Sequence, residues 1–113
     1  MLPKINSLKK EKDFEKLFKK GKSFKNNFLT LKIVQNNLKE SRFGFIISKK
    51  VSKKATLRNK IKRRLRSIVW QNIKNIKKGM DIALIVFPDL GKKNFLETKE
   101  ILNNLLKKAN LNV

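Results

Sequence analysis

Between Ser48 and Arg66 the chain reads SKKVSKKATLRNKIKRRLR, ten Lys and Arg without one acid, and the acid-free stretch runs from Ser41 to Met80. Lysine offers a mobile point charge, and arginine a planar fork of donors that fits two oxygens of one phosphate. Asn59, set between Arg58 and Lys60, can donate and accept hydrogen bonds. Cations on a helix are usually steadied by acids one turn away, and a segment that forgoes every such pair is suited to a polyanion. The candidates for phosphate contact are Lys49, Lys50, Lys53, Lys54, Arg58, Asn59, Lys60, Lys62, Arg63 and Arg66.

The bias extends to all 113 residues, where 30 Lys and Arg face 8 Asp and Glu for a formal charge of +22. Solubility alone asks a small domain for a net charge of about 2 to 8. The excess repels itself in the folded state and is relieved by an anionic partner. With no Cys and no His, the chain has no disulfides, thiolate chemistry or imidazole catalysis, and most zinc sites are excluded. Its carboxylates lie in the terminal regions, away from the basic segment, which argues against a protein-borne metal nuclease. An apolar content of 40%, with eight Phe, supports one compact domain over residues 1–113. No run approaches the roughly 18 apolar residues of a membrane span, and MLPKINSLKKEKDF lacks an apolar signal core, so a cytoplasmic location without a membrane partner is expected.

Positioning the cations requires elements around them. Phe14, Leu17 and Phe18 recur at helical spacing in Glu11–Lys20, with acids early, lysines late and Gly21 as a stop. FLTLKIVQ, from Phe28 to Gln35, alternates Leu29, Leu31 and Ile33 against Thr30 and Lys32, as a strand does, and a weaker strand precedes it at Ser23–Lys25. Asn36–Ser41 reads as a polar turn before the strand RFGFIIS, Arg42–Ser48, and the two longer strands are expected to pair antiparallel. From Lys54 to Ile76, apolar residues at steps of three and four predict a long helix on a sheet, with Phe43 and Phe45 beneath it and Trp70 off the apolar stripe. DIALIVF, Asp81–Phe87, suits a strand covered on both faces, and Asn94 can cap a last helix. The sum is an α+β fold, a two-layer sandwich with a small mixed sheet.

The run RFGFIISKKVSKKATLRNKIKRRLR resembles the protein subunit of bacterial ribonuclease P, and KDFEKLFKKG and FLETKEILNNLLKK extend the likeness over nearly the whole chain. That family's Arg-Asn-Arg helix motif falls on Arg58, Asn59 and Lys60, so the third position keeps charge without the fork. The resemblance implies three helices and a four-stranded mixed sheet in the order αβββαβα, with a left-handed βαβ crossover where the general rule gives a right-handed one. It implies a cleft that holds the single-stranded 5′ leader of precursor tRNA, with Phe14, Phe18 and Leu31 at the family's aromatic positions, while the basic helix faces the catalytic RNA. Helical spacing alone gives Phe14 an equal claim to the core and favours burying Phe18, so exposure decides between the readings. The position of a family mid-strand aromatic is assigned to Leu31, which offers no stacking face.

The function so implied is that of a subunit of the endoribonuclease that removes 5′ leaders from precursor tRNA. The chain binds ribonuclease P RNA, one to one, and the leader; it broadens substrate binding and lowers the Mg²⁺ requirement. The RNA and its Mg²⁺ perform the hydrolysis, and the chain carries no catalytic residue, metal site or cofactor of its own. DNA is not expected as a partner. A basic ribosomal structural protein would share the size and charge, and the motif order is what separates the two.

Overall fold

The computed structural model describes residues 2–112. Helix α1, Glu11–Lys20, has the predicted bounds. Strands β1 (Lys22–Lys25), β2 (Leu29–Gln35) and β3 (Arg42–Ile46) follow, then helix α2 (Ala55–Gln71), strand β4 (Met80–Val86) and helix α3 (Phe95–Lys108). Helix α2 is shorter than the apolar stripe suggests, because Asn72 turns its side-chain amide back onto the Ile68 carbonyl and a 3₁₀ turn, Ile73–Asn75, takes over.

The four strands form one sheet in the order β1-β2-β4-β3. This corrects the expected β2–β3 pairing. Strand β4 lies between them, antiparallel to β2 from Leu29 opposite Val86 to Gln35 opposite Met80, and parallel to β3 from Arg42 opposite Asp81. The reason lies in the composition of β4 and in the polar turn. A nearly all-apolar strand is the one that tolerates both edges paired and both faces covered. Residues Asn36 to Ser41 arch over its start: the Asn36 amide donates to Asp81 Oδ1 at 2.9 Å, and the Ser41 hydroxyl accepts from the Met80 N–H at 3.0 Å.

One face of the sheet presents Leu29, Leu31, Ile33, Phe43, Ile82 and Leu84 to a core completed by Leu65 and Ile68 of α2 and Leu102 and Leu105 of α3. Each fully buried side chain of this size contributes about 1.5 to 3 kcal/mol. Helix α1 packs on the opposite face through Leu17, which joins Leu8 and Ala83 in a smaller cluster. Helix α3 begins with a full capping box, in which Asn94 Oδ1 accepts from the Glu97 N–H at 2.8 Å and Glu97 Oε1 accepts from the Asn94 N–H at 3.1 Å. Asn94→Ala should therefore cost about 1 kcal/mol in urea unfolding; an unchanged midpoint would show that the cap adds nothing.

Candidate nucleic-acid interface

The cations of the basic segment leave the structure in two groups. Residues 48–54 form a turn rather than the end of a strand, and the Ser48 hydroxyl accepts from the Lys50 N–H at 3.3 Å. Lys49, Lys50, Lys53 and Lys54 are exposed on this turn, as are Asn59, Lys60 and Arg63 on α2. Arg58 is turned inward: its Nη1 donates to the carbonyls of Ser52 at 2.9 Å and Lys53 at 3.0 Å. Part of its fork thus fastens the lysine-bearing turn to the helix.

The flanks of α2 differ. On one side Lys60 and Arg64 line a hollow with Lys92 and Lys93, and Arg64 Nη1 donates to the Lys93 carbonyl at 3.0 Å. On the other, Lys62 and Arg66 line a hollow with Lys9, Phe14, Gly44 and Phe45, and the Arg66 guanidinium lies 5.9 Å from the Phe45 ring centre. Partial burial, then the like charges of Arg66 and Lys9, hold the Lys62 ammonium below the usual lysine range. An anion entering this hollow relieves that repulsion.

Beside it is the aromatic cleft. Phe14 and Phe18 stack with ring centres 6.5 Å apart and planes 25° from parallel. Phe18 is 43% exposed, and Lys32 Nζ stands 5.6 Å from its ring centre. This overturns the core reading of Phe18. The sheet beneath it offers a lysine stem rather than an apolar side chain, so α1 buries only Leu17 fully. Phe14 is half-buried with its ring over Gly44, where any Cβ would collide with it. Leu31 does not belong to the cleft: it is fully buried in the core on the other face of the sheet. The residue facing α1 is Lys32, the neighbour that strand alternation puts on that side.

Sequence reasoning also missed what holds α1 in place. Arg42 donates to both oxygens of Asp81, Nε to Oδ1 at 2.8 Å and Nη2 to Oδ2 at 2.7 Å, and its Nη1 meets Asp13 Oδ2 of α1 at 3.2 Å. The bond to Asp81 is the main reason the Arg42 guanidinium is held above its ordinary range, burial opposing. The two carboxylates that converge here are both taken up by arginine, and one residue further along α1 stands Phe14.

The model of the ribonuclease P family matches residues 2–110. The chain belongs to the ribonuclease P protein family. The ribonuclease P protein component of Pseudanabaena sp. (strain PCC 6903) is 40% identical over 110 residues, covering 96% of this chain and 95% of its own. That of Clostridium botulinum (strain Langeland) is 35% identical over 109 residues, covering 96% and 97%. Among solved structures, the Staphylococcus aureus RNase P protein aligns with a TM-score of 0.89 at 30% identity, over 96% of this chain and 98% of that one. The Thermotoga maritima protein aligns at 0.83 and 37% identity, over 90% and 96%. The fold is thus that of the family, and the function is that of the protein subunit of ribonuclease P, an endoribonuclease complex, in tRNA 5′ processing with ribonuclease P RNA as partner. The ribosomal alternative is not favoured.

Proposed function

We propose that the chain acts as a single RNA-binding domain with two contact surfaces, one for the catalytic RNA and one for the 5′ leader of precursor tRNA. The observation that carries this is the open Phe14–Phe18 pair bordered by Lys32, Lys62 and Arg66. Single-stranded RNA is held in this way, by aromatic faces for the bases and cations for the phosphates. The second surface is the exposed turn of residues 48–54 with Asn59, Lys60 and Arg63, where Arg58 works from behind as well as by charge. In this reading the RNA and its Mg²⁺ carry out the hydrolysis in the cytoplasm, in a one-to-one complex. The protein lowers the Mg²⁺ needed by offsetting phosphate repulsion.

The test is reconstitution with a ribonuclease P RNA and measurement of precursor cleavage at low Mg²⁺. The protein should stimulate cleavage of a leader-bearing precursor, and no stimulation overturns the reading. Arg63→Ala should flatten the log–log salt dependence of RNA binding by about 0.7 to 0.9, the value for one phosphate contact. Arg58→Ala should lose more affinity than that slope accounts for, because the turn loosens too. Equal behaviour of the two variants would remove the positioning role of Arg58.

A further inference from the structure

Two hollows, one at the cleft and one further along, lie between α2 and the N-terminal segment on the outer edge of β3, and together they outline a groove. Its outer wall is the N-terminal segment, pinned to the strand where the Leu8 N–H donates to the Phe43 carbonyl and the Asn6 amide to the Ser41 carbonyl, each at 2.9 Å. Its inner wall is α2. Lys62 and Arg66 stand at the cleft end, and one turn further along the same flank comes Trp70. Arg66 and Trp70 are about 6 Å apart along the helix axis, and Lys74 lies just beyond, in the 3₁₀ turn that follows α2. Trp70, Ile5 and Lys74 line a hollow of about 340 Å³ at the far end, with Trp70 40% and Ile5 64% exposed. The one carboxylate on its rim, Glu40, is met by Lys78 at 3.8 Å. An aromatic and an isoleucine left open between cations, between the same two walls that border the cleft, make a surface for nucleic acid rather than for an apolar partner.

We propose that single-stranded RNA leaving the cleft follows this groove, its phosphates at Lys62, Arg66 and Lys74 and one base stacked on the Trp70 indole. The inference rests on the reading of the cleft as the seat of the leader. It extends the leader contact by one helical turn beyond the cleft, and because every base has a stacking face, the added contact is indifferent to sequence.

Trp70 is the only tryptophan in the chain, so its fluorescence reports this site alone. Holoenzyme reconstituted with a ribonuclease P RNA is titrated with precursor tRNAs whose leaders lengthen one nucleotide at a time. Affinity should rise first as the leader fills the cleft, with fluorescence unchanged. At a greater length the fluorescence should be quenched and affinity should rise again, about fivefold for one stacked base. Trp70→Ala should abolish the second rise and keep the first, which certifies a folded cleft, while Trp70→Phe should keep both. The first rise without the second overturns the groove and leaves the cleft standing, whereas the absence of both removes the cleft reading itself. Quenching by the catalytic RNA before any substrate is added would place Trp70 against that RNA and overturn the proposal.

Discussion

Arg42→Ala is expected to lower the free energy of unfolding by about 3 to 5 kcal/mol, the cost of leaving a buried charge without its partner. For a domain of this size that displaces Tm by roughly 10 to 20 °C. Asp81 is 3% exposed and would keep only the Asn36 amide, a neutral donor, in place of a bidentate guanidinium. Asp13 Oδ2, shielded from water, would lose the arginine that faces it at 3.2 Å. The damage is therefore not confined to β3 and β4, because the same guanidinium ties α1 to the sheet. Arg42→Lys should fall between wild type and alanine, keeping the charge and losing the fork. A double-mutant cycle of Arg42→Ala and Asp81→Ala, read by urea unfolding, should show a coupling on the order of 2 kcal/mol. Simple additivity would show that the residues do not act as one clamp.

This clamp also marks where the sequence stops being legible. Glu11–Lys20 could be bounded because everything that ends it is local: early acids, late lysines, then Gly21. The same holds for Asn94, whose partner Glu97 is three residues away. Arg42 and Asp81 are 39 residues apart, and nothing in either neighbourhood names the other. Strand order is hidden for the same reason. Alternation says which face of β2 is buried, but the neighbour of β2 is decided by the demand of β4 for two paired edges, and that is a property of the whole sheet. The polar run from Asn36 to Ser41 looked like a hairpin turn because its residue types suit one, yet its hydrogen bonds serve the start of β4.

The cleft divides along the same line. The basic helix and the aromatic spacing of α1 were visible as patterns, and the resemblance carried by RFGFIISKKVSKKATLRNKIKRRLR supplied their meaning. It also put Leu31 where Lys32 belongs, although the alternation of Leu29, Leu31 and Ile33 already assigned position 31 to the core face. Phe18 went astray in the opposite direction. Helical spacing shows which side of α1 faces the protein but not what the sheet offers there, and what it offers is a lysine.

Phe18→Ala is expected to weaken binding of a leader-bearing precursor about 5- to 150-fold, the range of one to three kcal/mol for a lost base stack, with binding of mature tRNA unchanged. Its exposure of 43% means that little packing is lost, so Tm should scarcely move. Phe14→Ala should affect leader binding similarly and also cost stability, because that ring is half-buried over Gly44. Gly44→Ala separates the two contributions. Its new methyl collides with the far end of the Phe14 ring rather than with backbone, so the ring must swing aside while the strand stays in place. That variant should lose leader affinity, keep its affinity for ribonuclease P RNA, and remain folded by circular dichroism. Equal losses for precursor and mature tRNA in all three variants would show that the rings only pack α1 against the sheet, and the leader would then have to be sought on another face.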